Sequence, residues 1–211
     1  MLNKSKIEEI FERLQQKNPS PTIELVTHND FTFAVAVLLS AQTTDKMVNK
    51  VTKSLFGIAD TPEKMLTLGL DRLKEYVHPL GFFNNKAKNV IALSEVLVAK
   101  YNSRLPTMRD ELEKLPGIGR KSANVIANRL FGASTIAVDT HVLRVSKRLG
   151  LSNANEPITV EKDLLNFVPQ KFHKNISDWL VLHGRYVCTA KKPRCSECCL
   201  FDLCEMVNGE K

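Results

Sequence analysis

The run Leu115-Pro116-Gly117-Ile118-Gly119-Arg120-Lys121-Ser122-Ala123-Asn124 obliges this chain to turn a tight corner between two helices. Pro116 cannot continue a helix arriving through Glu111 to Leu115, because its ring removes an amide donor and crowds the preceding turn. Gly117 and Gly119 admit positive φ and leave the backbone uncovered. The pattern predicts a second helix from about Arg120 to Phe131, with Gly132 just past its end. The first amides of that helix lack intrahelical partners and lie at the positive end of the dipole, which suits a phosphate. Arg120 and Lys121 are poorly placed there for helix stability alone, and an anion site accounts for both. The run lacks the Gly-Lys-Ser/Thr ending of a nucleotide-binding loop, and also the third Gly and preceding strand of a dinucleotide fingerprint. By itself it fits a bare helix–turn–helix corner as well as a phosphate site.

The rest of the chain reads as helices of modest length. Ile7, Ile10, Phe11 and Leu14 predict a first helix over residues 5–16, followed by a connector at Asn18-Pro19-Ser20-Pro21. Phe31 to Ser40 is apolar throughout and reads as a buried helix capped by Asp30. Thr44 or Asp45 caps the next, which carries Met47, Val48, Val51 and Leu55 and stops at Gly57. Thr61-Pro62 opens another, and Asp71 to His78 forms a short one halted by Pro79. Gly81-Phe82-Phe83-Asn84 reads as a loop. Asn84 or Asn85 then caps a helix whose apolar face is Ala87, Val90, Ile91, Leu97, Val98 and Tyr101. Pro106-Thr107 opens the short helix before the glycine turn. Past Gly132, Thr135 to Val138 is an apolar link, and Asp139 is placed to cap a helix from Thr140 to Leu149 that ends at Gly150. Thr159 caps a helix ending at Pro169, and the last long helix holds Ile176, Trp179, Leu180 and Val187. No strand pair emerges, so the fold class is all-α. The stretch from Asn18 to Pro21 and the link after Gly132 are the candidate boundaries.

Lys and Arg number 30 against 23 Asp and Glu, a net charge of +7 that favours a polyanionic partner. No apolar run reaches the roughly 18 residues a membrane span needs, and Met1 to Lys6 lacks the apolar core of a signal peptide. The expectation is an intracellular protein, cytoplasmic and associated with the nucleoid. All 5 cysteines fall between Cys188 and Cys204, which points to a metal centre rather than a disulfide framework. Cys188, Cys195, Cys198 and Cys204 read Cys-x6-Cys-x2-Cys-x5-Cys; Cys199 could replace Cys198 in an alternative register, but Cys-x2-Cys is the better-known chelate spacing. Spacing alone fits zinc or an iron–sulfur cluster. Lys191-Lys192-Pro193-Arg194, between the first two ligands, would present three cations together if the centre pins the loop.

These motifs together resemble endonuclease III, a helix–hairpin–helix DNA glycosylase and apurinic-site lyase of base-excision repair. The residues that carry the resemblance are Leu-Pro-Gly-Ile-Gly-Arg-Lys from Leu115, Val-Asp-Thr-His from Val138 and the cysteine tail. Leu-Leu-Ser-Ala-Gln-Thr from Leu38 and His-Gly-Arg-Tyr from His183 fit as well. The resemblance implies two helical lobes flanking a DNA groove, one over residues 23–134 with the hairpin, the other joining 1–22 to 135–211. It implies one 4Fe-4S cluster on Cys188, Cys195, Cys198 and Cys204, with Lys121 as nucleophile and Asp139 as catalytic carboxylate. It places Gln42, Phe82, Gly117, Gly119, His141 and Lys191 against DNA, with Phe82 where relatives often have Leu. The partner would be duplex DNA carrying oxidised pyrimidines or abasic sites, bound by a monomer.

The chemistry suits those residue types. An amine that attacks the sugar C1′ keeps the carbon as an imine, whose electron sink acidifies the C2′ proton and permits β-elimination. The attacking amine must first be neutral, and the helix dipole, Arg120 and burial all oppose its charge. A carboxylate beside C1′ stabilises developing positive charge or relays a proton. Two alternatives compete. A monofunctional mismatch glycosylase of the same superfamily would lack the hairpin Lys, which is present here. A non-catalytic DNA-binding module with a zinc-stabilised tail would form no covalent adduct with abasic DNA.

Overall fold

A computed structural model describes residues 3–22 and 24–208. Met1 and Leu2, where the expected leaderless N-terminus begins, and Ile23, the expected lobe boundary, lie outside the described residues. In chain order the helices are α1 (Lys4–Lys17), α2 (Asp30–Leu39), α3 (Asp45–Ile58), α4 (Pro62–Leu68), α5 (Leu70–Val77) and α6 (Phe83–Tyr101). They continue as α7 (Arg109–Leu112), α8 (Arg120–Phe131), α9 (Thr140–Leu149), α10 (Pro157–Phe167), α11 (Ile176–Tyr186) and α12 (Glu205–Asn208). The described residues contain no strand, and no helix among them is long and apolar enough to cross a membrane. Contacts divide the chain into two units, Glu24–Phe131 and Met1–Ile23 with Gly132–Lys211.

The first unit is built around α2. Every residue from Phe31 to Leu39 is buried, as a helix apolar on all sides requires, and α3, α6 and α8 pack against it. Its cap is Asn29 rather than Asp30. The Asn29 side chain accepts the Thr32 amide at 2.9 Å, and the Thr32 hydroxyl accepts the Asn29 amide at 2.9 Å. That reciprocal box needs a hydroxyl three residues on, which Asn29 has and Asp30 does not. The start of α6 also differs from expectation: Phe83 is already helical, so Asn84 and Asn85 lie in the first turn instead of capping it. The buried face of α6 is Lys86, Ala87, Val90, Leu93, Ser94 and Leu97, while Val98 is 39% exposed. The short helix before the glycine turn begins at Arg109, not at Pro106.

The second unit packs α1, α9, α10 and α11 around Ile10, Phe11, Val142, Val145, Leu164 and Leu180. Phe11, Phe172 and Trp179 form an aromatic trio with ring centroids 5.6 to 6.4 Å apart, and the Trp179 indole donates to the Asn18 carbonyl at 2.8 Å. α10 starts at Pro157, whose preset φ suits the first helical position, so Thr159 lies inside the helix rather than capping it. α10 ends at Phe167 because Val168, which precedes Pro169, is extended. Gly184 lets α11 approach α9 closely: a Cβ there would stand 3.0 Å from the His141 Cβ and 3.1 Å from Val145.

Candidate active site and cysteine centre

The hairpin forms from local chemistry and one tight contact. The Ile118 amide donates to the Leu115 carbonyl at 3.1 Å, closing a turn with Pro116 and Gly117 at its centre. Gly117 has φ +74°, and Pro followed by a positive-φ residue is the pattern of a type II turn. A Cβ on Gly117 would lie 2.7 Å from Leu38 Cδ1 and 2.8 Å from the Asn89 Cβ, so α2 and α6 both exclude a side chain there. Gly119 does not use the positive φ open to it, and a Cβ there would meet open space. Its carbonyl accepts the Ala123 amide at 2.9 Å and opens α8. The buried Asn124 of α8 accepts Arg109 Nε at 3.1 Å, tying α7 to α8.

Lys121 lies in the first turn of α8 and is exposed, not buried as the sequence suggested. Lys121 belongs to the first unit and Asp139 to the second.

Asp139 sits at the N-cap of α9 in extended backbone, with φ −104° and ψ −174°. Its approach is anchored by the buried Val138 and by the Ala137 amide, which donates to Ser177 Oγ at 2.9 Å. Asp139 Oδ1 accepts the amides of His141 at 2.8 Å and Val142 at 2.9 Å. Oδ2 takes neither of those bonds and lies 3.6 Å from His141 Nδ1, too far for a hydrogen bond. That Nδ1 is buried and has no partner in the structure.

Gln42 and Phe82 are both exposed, and both hold left-handed backbone, at φ 53° and 58°. For residues other than Gly this costs ~1–3 kcal/mol each and persists only where the surroundings impose it. Lys191 is exposed on the loop that follows Cys188.

Cys188, Cys195, Cys198 and Cys204 line one cavity with His183, and Cys199 does not line it. Burial pushes the Cys198 and Cys204 thiols up, and the neighbouring thiols add to the shift. No three of the described His, Cys, Asp and Glu side chains converge tightly enough for a single ion. Four thiols lining one cavity are the donor set that an iron–sulfur cluster takes.

Arg144, Arg148 and His183 meet this loop; sequence reasoning gave the two arginines no role and met His183 only within the His-Gly-Arg-Tyr run. Arg144 Nη2 donates to the Gly184 carbonyl at 2.8 Å. Arg148 donates to the carbonyls of Thr189 at 2.8 Å and Ala190 at 2.9 Å, and to Cys188 Sγ at 3.3 Å. His183 Nε2 lies 3.5 Å from Cys198 Sγ, and burial, helped by Lys17, lowers its pKa to about 4. For the arginines the signal was Arg144 and Arg148 one turn apart on α9, and such a pair reads first as a solvated face.

A glycine-dependent hairpin, a carboxylate-capped helix and a four-cysteine loop on an all-α scaffold carry the resemblance to a helix–hairpin–helix repair protein. In agreement, residues 35–170 match the HhH-GPD superfamily of base excision DNA repair proteins, and residues 188–204 match the iron–sulfur binding domain of endonuclease III. The chain is 53% identical to endonuclease III of Rickettsia felis over 203 residues, covering 96% of this chain and 95% of that one. It is 49% identical to endonuclease III of Haemophilus influenzae over 204 residues, covering 97% of each. A solved structure of a trapped endonuclease III–DNA covalent intermediate superposes with a TM-score of 0.92 at 42% identity, covering 99% of this chain and 98% of that chain. The chain belongs to the endonuclease III family. Its cofactor is one 4Fe-4S cluster.

Proposed function

We propose that this base-excision repair DNA glycosylase is bifunctional: it removes oxidised or ring-saturated pyrimidines from duplex DNA and then cuts the strand by β-elimination. The observation that carries this reading is the amine of Lys121, exposed in the first turn of α8 directly behind a turn that only glycine can make. Lys121 Nζ attacks C1′ of the extruded nucleotide, the glycosidic bond breaks, and the base leaves with a proton. The C1′–O4′ bond then opens as O4′ takes a proton, which leaves an iminium that acidifies C2′; loss of the C2′ proton expels the 3′ phosphate, and water then frees the lysine. The water exclusion that Lys121 lacks in the free chain comes from bound DNA.

Asp139 serves the same sugar through Oδ2, while Oδ1 holds the helix start. The amides of Gly117 and Gly119 grip phosphate without reading sequence. Gln42 and Phe82 fill the gap left by the extruded base, and His141 faces the lesion. Cys188, Cys195, Cys198 and Cys204 hold the cluster, which when bound cross-links the loop bearing Lys191. The two units serve as the family's two lobes, with residues 23–134 as the hairpin lobe. The protein acts as a monomer on chromosomal DNA in the cytoplasm.

The test is a duplex with one ring-saturated pyrimidine, scored for free base and for strand cuts with and without alkaline work-up. The proposal expects cuts at the rate of base release without alkali. Base release that yields cuts only after alkali would overturn the lyase half.

A further inference from the structure

α6 carries a lysine on the face where its packing calls for an apolar residue. Lys86 is 5% exposed, shares that face with Ala87, Val90 and Leu93, and donates from Nζ to Thr43 Oγ1 at 2.7 Å. Burial pushes its pKa below the ordinary lysine value, so the fold bears a cost to keep the charge there. Methionine would fill similar space with no charge to desolvate. The proposed chemistry uses no amine at this position.

The amine instead bridges two stretches of backbone. The Lys86 amide donates to the Phe82 carbonyl at 3.1 Å, and Thr43 directly follows Gln42. Among the described residues, only Gln42, Phe82, Asn102 and Ser103 combine a side chain with positive φ, and the last two merely end α6. One part-buried hydrogen bond therefore links the two exposed left-handed residues that precede α3 and α6. Hydrogen bonds from a charged donor are strong and directional.

We propose that Lys86 is a positioning residue whose ammonium, by holding the Thr43 hydroxyl, locks the Gln42 turn to the Phe82 turn so that both side chains enter the duplex as one preformed unit. This inference rests on the reading of Gln42 and Phe82 as DNA contacts. Extruding a nucleotide opens a gap that must be filled at once. Two turns that had to find their relative placement during that step would each lose freedom on binding, and a lock set during folding removes that loss.

The experiment uses the full chain with its cluster and compares the parent with Lys86→Met, Thr43→Val and the double variant. Extrusion is followed by the fluorescence of 2-aminopurine beside the lesion, base release in single turnover, and nicking on a preformed abasic duplex, where no base must be drawn out. Each single variant should slow extrusion and base release about tenfold or more. The double variant should be no worse than either single, since both remove the same bond. Nicking of the abasic duplex should change less than about threefold. Extrusion and base release within twofold of the parent would overturn the inference, as would equal losses on both substrates. Thr43→Val changes a half-buried loop residue and decides the matter alone should Lys86→Met not fold. A parent that releases no base would refute the functional reading itself, a result distinct from a parent that works and variants that match it.

Discussion

Asp139 Oδ1 accepts the His141 amide at 2.8 Å, while Oδ2 lies 3.6 Å from the Nδ1 of the same residue. One oxygen thus holds the start of α9, and the other is the one to which the proposed chemistry is assigned. Asparagine caps helices about as well as aspartate but carries no charge. Asp139→Asn should therefore melt within a few degrees of the parent and bind DNA, yet release base at least about a hundredfold more slowly. Asp139→Ala should lose that activity and also about 1 kcal/mol of stability. Thermal unfolding and single-turnover base release on the same preparations separate the two roles.

Gly117 and Gly119 look alike in sequence and differ in what they tolerate. Gly117→Ala meets positive φ and the fixed Asn89 Cβ together, and should destabilise the chain by about 2 kcal/mol or more. Gly119→Ala meets neither and should leave stability within about 0.5 kcal/mol of the parent. Its methyl group would partly cover an amide assigned to phosphate, so DNA affinity should fall. Denaturant unfolding and binding at two salt concentrations check both outcomes.

The lowered pKa of Lys86 carries a pH signature. The folded amine releases its proton at lower pH than the unfolded one, whose ordinary value is 10.5. Between those two values the unfolded chain binds more protons, so stability should rise with pH through the alkaline range below 10.5. Below the folded-state value both states hold the proton and the slope vanishes. Lys86→Met should abolish the alkaline rise and be at least as stable as the parent at neutral pH. Unfolding free energies from pH 7 to 10 provide the measurement.

The two adjacent cysteines should part company. Cys198 lines the cavity with Cys188, Cys195 and Cys204, whereas Cys199 does not. Cys199→Ser should keep the visible absorbance near ~400 nm expected of the cluster, and Cys198→Ser should lose most of it. Loss in the opposite order would move the ligand assignment to Cys199.

Much of this layout is legible in the residues because single positions carry strong local demands. Pro116 and Gly117 enforce the corner, Gly132 and Gly150 end α8 and α9, and Asp139 stands where a cap belongs. Helix starts were harder where two cap-capable residues adjoin, as at Asn29 and Asp30, because the choice depends on which has a partner three residues on. The left-handed Phe82 was not legible, since a phenylalanine ordinarily avoids positive φ. Lys86, Arg144 and Arg148 escaped for a common reason. A basic residue in an amphipathic helix reads as solvent-facing, and only the fold reveals the hydroxyl or carbonyls it meets. The exposure of Lys121 ran against expectation because burial at a helix start depends on what binds over it.

The most direct test of the account is borohydride reduction during reaction with an abasic duplex, followed by peptide mapping of any cross-linked product. The account predicts a covalent protein–DNA adduct at Lys121, abolished in Lys121→Gln while that variant still binds the duplex. An adduct on another residue, or the same yield from Lys121→Gln, would contradict it.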